Sequence, residues 1–306
     1  MSEATLLTGF ESRVATIRGT RVRFFVGGSG RPLILLHGLG GAADNWCELA
    51  ELLGGRRRVL VPDLPGHGAS EPLPRPARLE SFADVVVACA ELEQMLPAPV
   101  AGHSLGGALA IELAVRRPEA VSGLVLAAAA GISSSSLRAR LGLALFGLLK
   151  PSRVAGRYRH RIVANPRLSR IVFTGLASDP AALSARAVLG FLSGGAAATD
   201  QGTAAAALLA DDPCAELAAV RCPTLVLWGA RDRFLPLEDG LEYARRLRAP
   251  LRILPDTGHL LIGERPRECA RLIETFLDAL PNKHLDGIGE VDELPLEAES
   301  LGQPRG

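Results

Sequence analysis

The chain has almost no imbalance of charge: 34 Lys and Arg face 33 Asp and Glu, leaving a formal net charge of +1 over 306 residues. So even a balance gives no electrostatic footprint for a nucleic acid, and none for an anionic membrane surface, across the molecule as a whole. Lysine is nearly missing, Lys150 and Lys283 being the two present. Aromatic residues are scarce at 4%, which points to aliphatic rather than aromatic walls in any binding pocket. The five cysteines (Cys47, Cys89, Cys214, Cys222 and Cys269) form no C-x-x-C pair and no ligand-spaced cluster. That excludes a disulfide framework and a zinc site of the usual spacing, so neither metal nor cofactor is expected, and scattered reduced thiols fit a cytoplasmic protein. The first residues lack a basic stretch followed by an apolar one, so no secretory signal is expected. The longest apolar runs, LVLAAAAGI and GLALFGLL, are too short to span a bilayer and read as buried core.

What is present is a regular alternation of strand and helix patterns. VATIRG and RVRFFV read as an antiparallel hairpin. PLILLHG (32–38), RRVLVPDL (57–64), PVAGHS and VSGLVLAAAA read as strands covered on both faces, with helices at NWCELAELL, SFADVVVACAELEQML (opening at Ser81) and LGGALAIELAVRR between them. This predicts an α/β fold with a mostly parallel, doubly wound sheet and right-handed crossovers. The rhythm breaks over 132–212, where the patterns are helical and rich in Ala, Leu and Arg, with turn signals at Pro151, Pro166, Pro180 and Gly194–Gly195. It resumes with CPTLVLWGARD, a helix near 239–248, the strand LRILPD and a helix at 266–280. The expected organisation is a discontinuous core (12–131 and 213–281), an inserted all-helical cap (132–212) and a flexible acidic tail (282–306).

Ser104 stands between glycines in GHSLGG, after a strand and before a helix. The G-x-S-x-G string alone is weak, arising by chance in about one such chain in five at this glycine content. Its setting is the strand–turn–helix that a nucleophile elbow requires, with the first amides of the following helix aimed at the reacting centre. A hydroxyl needs a base to take its proton, and in elbow hydrolases the histidine follows the acid along the chain. Of six histidines, His37, His67 and His103 come too early, His160 lies in the inserted stretch and His284 in the tail. His259, in PDTGHLLIGERP after a strand, remains. The acid expected behind PTLVLWG is Asp232, with Glu238 and Asp239 as alternates and Asp256 assigned to a loop. HGLGG (37–41) suits a loop that presents a backbone N–H, so Leu39 and Leu105 are the expected oxyanion donors. Trp46 is a candidate wall of the substrate side, with core packing as the alternative.

The motifs HGLGG, PDLPGHGAS, GHSLGG, WGARD and TGH, in this order, resemble those of the α/β-hydrolase family with a helical cap, over about residues 12–281. The resemblance implies a Ser104–Asp232–His259 triad and gives Asp63 and His67 a structural turn. It also implies acyl-enzyme chemistry on a small-molecule ester, lactone or thioester. The serine argues against the relatives that open epoxides or carbon–halogen bonds, which carry aspartate at the elbow. C–C bond hydrolases of vinylogous diketones use the same triad, though they tend to carry another residue in place of His103. A small-molecule receptor and an acyltransferase on the same fold are the remaining alternatives. Covalent labelling with turnover separates an enzyme from a receptor, and an added alcohol acceptor separates transfer from hydrolysis. Candidate substrate contacts are His103, Leu141 and Leu145 on one helical face, and Arg157, which shares a face with Arg153 and Arg161 at i, i+4, i+8 spacing. Nothing in the sequence sets the oligomeric state. Removal of the residues after Pro281 is expected to leave hydrolytic activity nearly unchanged, because the segment carries no motif and no periodic apolar face; a truncated protein assayed beside the full chain checks this.

Overall fold

The computed structural model describes residues 5–133, 151–197 and 200–280. The tail expected at 282–306, and Leu141 and Leu145, lie outside the described residues. Eight strands form one sheet in the order β1-β2-β4-β3-β5-β6-β7-β8. β1 (Phe10–Ile17) and β2 (Thr20–Gly28) are the hairpin, joined through Arg18 and Gly19, both with positive φ (49° and 82°). Two such residues in a row make the turn whose twist matches that of paired strands, and glycine takes the second position at no steric cost. β2 runs antiparallel to β4 (Arg57–Pro62). β3 (Arg31–Leu36), β5 (Ala98–His103), β6 (Val121–Ala127), β7 (Thr224–Gly229) and β8 (Leu251–Leu254) continue in parallel. Leu33 to Leu36 and Leu124 to Leu126 are fully buried, as expected of strands covered on both faces.

Helices α1 (Cys47–Gly54), α2 (Leu79–Leu92) and α3 (Leu105–Arg116) cross between these strands, with α2 packed on α3. α2 starts at Leu79 rather than at Ser81. Ser81 is the third helical residue, and its hydroxyl accepts the Arg78 N–H that would otherwise be unpaired. The chain leaves β3 toward β4 on one side and later returns to β5 on the other, so β3 and β5 lie side by side, with Leu36 level with Gly102. That reversal opens a crevice at the carboxyl ends of these strands, where ligands of open α/β sheets bind. The loops after β3 and β5 carry the HGLGG and GHSLGG motifs.

Between β6 and β7 the described chain is helical: α4 (Pro151–Arg157), α5 (Arg159–Ala164), α6 (Pro166–Phe173), α7 (Ala185–Ala197) and α8 (Gln201–Ala210). Pro151 and Pro166 open helices, where the missing N–H costs nothing. Gly194–Gly195, expected as a turn, sits inside α7. A Cβ on Gly194 would lie 2.1 Å from the Gly41 carbonyl carbon, and one on Gly190 would lie 2.4 Å from Asp44 O. These glycines let α7 ride directly on the loop after β3. The insert has its own apolar cluster, built from Ile162, Phe173, Ala177, Leu183, Ala187, Val188 and Leu192 and closed by Leu260 from the far side of the insertion. After β7 come α9 (Leu237–Leu247), the short α10 (Leu261–Glu264) and α11 (Pro266–Asp278), which packs on α1. The five thiols are unpaired. Burial pushes Cys47, Cys89 and Cys269 up to about 12, and Cys214 and Cys222 to about 11. Among the described residues no helix is long and apolar enough to cross a membrane.

Candidate active site

Ser104 caps the N-terminus of α3 with φ 53° and ψ −117°, a backbone state that a residue with a Cβ seldom adopts. The glycines around it are required by contact rather than by torsion. A Cβ on Gly102 would stand 2.1 Å from Gly106 O, and one on Gly106 would stand 2.2 Å from Leu36 O. The turn therefore closes backbone on backbone, and the end of β3 presses against the start of α3. The N–H groups of Leu39 and Leu105 are not engaged in any hydrogen bond among the described residues, so both remain able to donate to a third party.

The loop carrying Leu39 is held from below. His37 donates from Nδ1 to Gly38 O at 2.8 Å and accepts the Leu64 N–H at Nε2 at 3.0 Å. With one nitrogen donating and the other accepting, the ring is neutral, and burial followed by the nearby His67 holds its pKa well below the usual range. Asp63 is fully buried and accepts from Ala43 N–H (2.9 Å), Ala69 N–H (2.9 Å) and the Arg23 guanidinium (2.6 Å). It fastens the loop after β3 to the PDLPGHGAS turn. Trp46 ends a 3₁₀ turn (Ala43–Trp46) and is 0% exposed within the main hydrophobic core. The expectation that it walls the substrate side gives way to packing, since an indole closed off by core side chains presents no face to a ligand.

His259 is buried, and its Nδ1 lies 2.8 Å from Asp232 Oδ2. The other carboxylate oxygen of Asp232 accepts the N–H groups of Phe234 and Leu235, each at 2.8 Å. A carboxylate held by two amides leaves one oxygen to fix the imidazole, with Nε2 as the ring atom still free. The alternates are occupied elsewhere. Asp239 accepts from Ser133 N–H at 3.1 Å and Ser133 Oγ at 2.5 Å, Asp256 pairs with Arg231, and Glu238 is exposed. Ser104 Oγ makes no hydrogen bond to His259 here; such links often tighten only with substrate in place.

His103 does not face a ligand as expected. It is buried, donates from Nε2 to His259 O at 2.9 Å, and its ring lies 4.9 Å from the His259 ring at a tilt of 46°. Its Nδ1 has no hydrogen-bond partner, and Gly38 packs beside it, a Cβ there coming within 3.2 Å. Phe234, 55% exposed, also stands against His259, with its ring 4.9 Å away. Sequence reasoning missed Phe234; the signal was a large apolar residue inside the polar loop RDRFLP. Arg157 ends α4 and is exposed, as are Arg153 and Arg161, and no described contact joins them to Ser104, Asp232 or His259.

The profile of the alpha/beta hydrolase family matches residues 33–272. The chain is 34% identical over 265 residues, 79% of its length, to the pimeloyl-[acyl-carrier protein] methyl ester esterase of Aromatoleum aromaticum, covering 96% of that protein. It is 33% identical over 273 residues, 85% of its length, to the 2-hydroxymuconate semialdehyde hydrolase of Pseudomonas sp. strain CF600, covering 91% of it. Among solved structures, a thermophilic esterase from Thermogutta terrifontis superposes with a TM-score of 0.69 at 25% identity, over 88% of this chain and 98% of that one.

Burial, followed by the neighbouring His259, depresses His103 to about 3 from the ordinary 6.5. Below the ordinary value the unfolded chain takes up a proton that the folded chain refuses, so stability is full above it and is lost as the pH falls toward the folded value. The urea midpoint should therefore drop on going from about pH 7 to about pH 5, and His103→Asn should flatten that dependence; an unchanged slope would refute it.

Proposed function

The chain belongs to the alpha/beta hydrolase family, and on that premise we propose that it is a serine hydrolase cleaving a small-molecule carboxylic ester through an acyl-enzyme. The observation that carries this reading is the convergence at one sheet edge of a serine on a strained elbow and a histidine bonded to a buried aspartate. Ser104 Oγ attacks the ester carbonyl carbon while His259 Nε2 takes the hydroxyl proton. Asp232 keeps the ring oriented and offsets the charge of the imidazolium. The carbonyl oxygen, now an oxyanion, receives the N–H groups of Leu39 and Leu105. On collapse the C–O bond to the alcohol breaks and His259 hands its proton to the leaving oxygen. Water then repeats the attack on the acyl-enzyme with His259 as base, releasing the acid and restoring Ser104. The helices between β6 and β7 act as a cap over this edge, and Leu141, Leu145 and Arg157 are proposed contacts on it, the arginine for an anionic substrate. Unpaired thiols fit a cytoplasmic setting.

A second reading is supported by the likeness to the semialdehyde hydrolase over most of both chains: the same residues would cleave a C–C bond of a vinylogous diketone. The ester reading is preferred on GHSLGG, where His103 stands at the position at which C–C bond hydrolases tend to carry another residue, and the likeness to the methyl ester esterase supports it. Ser104→Ala should lower hydrolysis of p-nitrophenyl acetate by on the order of 10⁴-fold or more and abolish labelling by a fluorophosphonate, with circular dichroism unchanged. Near-normal turnover in the purified variant would overturn the assignment. Asp232→Asn should be severe and Asp239→Asn mild.

A further inference from the structure

Glu264 takes no part in the proposed reaction, yet it touches the loop of the base and the insert together. Its carboxylate accepts the Gly258 N–H on both oxygens at 3.0 Å and the Ser178 N–H on Oε2 at 2.8 Å. Gly258 immediately precedes His259, whereas Ser178 follows α6 in the insert. The two segments also meet without it. His259 N–H donates to Leu176 O at 2.7 Å, and a Cβ on Gly258 would lie 2.6 Å from Ser178 N and 2.7 Å from Leu176 O. Leu260 is buried in the apolar cluster of the insert, and Gly263 lies under Phe191, to which a Cβ would come within 2.5 Å. On one side, then, His259 is fixed by Asp232; on the other its backbone is built into the helices of the insert.

The chemistry asks for a carboxylate at this point. Two amide N–H groups converge from different segments, and both need an acceptor. A carboxylate offers acceptors on each oxygen and no donor, and bonds from amides to a charged oxygen are stronger than neutral ones. An amide side chain would turn an N–H toward one of them. Among the described residues no Lys or Arg pairs with Glu264, so its charge is answered by backbone dipoles. Burial works against that charge and raises its pKa, and the Gly258 and Ser178 amides lower it.

We propose that Glu264 is a positioning residue that ties the insert to the catalytic loop, so that the insert and the imidazole of His259 keep one relative placement. The inference rests on the serine-hydrolase reading, in which His259 is the base. A base displaced by about 1 Å costs on the order of 100-fold in rate, and Glu264 holds the residue next to that base.

The test uses the full chain with p-nitrophenyl acetate as probe. Glu264→Ala should lower kcat by about 10- to 100-fold with KM nearly unchanged, and Glu264→Gln, which keeps one acceptor, should fall between it and the parent. In proton NMR the downfield His259 Nδ1–H signal should weaken or vanish in both variants as the contact with Asp232 loosens. If Glu264→Ala does not fold, the isosteric Glu264→Gln carries the same comparison. Unchanged kcat and an unchanged Nδ1–H signal, with lowered thermal stability alone, would overturn the proposal, as would a raised KM at constant kcat. Ser104→Ala in the same assay separates the two claims. If it turned over like the parent, the hydrolase reading would fall, while the His259 signal in the Glu264 variants would still decide the role of Glu264.

Discussion

Everything in the site depends on a strained residue being over-determined by its neighbours. Ser104 holds a left-handed backbone that costs on the order of 1–3 kcal/mol, and four hydrogen bonds fix it. Its N–H donates to Ala127 O, and its carbonyl accepts the N–H groups of Gly107, Ala108 and Ala130. One residue thus joins the end of β5, the first turn of α3 and the strand end of β6. Steric closure adds to this, because Gly102, Gly106 and Leu36 occupy space that any larger side chain would need. The direction of Oγ, the position of the α3 amides and the proximity of the β3 loop all follow from that single junction. A relaxed backbone at Ser104 would separate the hydroxyl from the amides that the proposed reaction requires together.

The remaining parts reach this junction from the other side of the insertion. Asp232 and His259 come from strands that follow more than a hundred residues of intervening chain, and their loops are bound to one another through Arg231 N–H on Thr257 O and Ala230 N–H on Leu254 O. His103 then bridges the halves, its ring bonded to the carbonyl of His259. The His259 imidazole has the buried His103 ring and the exposed Phe234 ring each 4.9 Å away, and its Nδ1 lies 2.8 Å from Asp232 Oδ2. The buried His103 ring excludes water beside the bond between His259 and Asp232, which lowers the effective dielectric there and strengthens that bond.

The parts of this architecture that were legible in the sequence are those encoded locally. Strands with continuous apolar runs, the hairpin, the elbow with its glycines and the chain order of serine, acid and histidine all announce themselves within ten residues or so. What was not legible depends on partners far away. The Nε2 of His103 finds a carbonyl 156 positions on, and Ser178 finds Glu264 across 86; no periodicity signals either pairing. Gly194–Gly195 looked like a turn because glycine is a helix breaker in isolation; close approach to the β3 loop overrides that propensity. Trp46 followed the same pattern, since a large ring near a functional loop can serve either purpose and only its burial decides. Ser81 was displaced by two positions because a hydroxyl that reaches back from the third helical residue reads, in one dimension, like a cap.

The thiols have a chemical consequence of their own. Thiolate is the form that alkylating agents and peroxide attack, and burial keeps the cysteines protonated at physiological pH, the most acidic of them titrating near 11. Four are also sealed from solvent. Those four are therefore shielded from mild oxidants and from maleimides or iodoacetamide while the chain is folded, and their uptake of such reagents, over that of the partly exposed Cys222, becomes a measure of how often the chain opens.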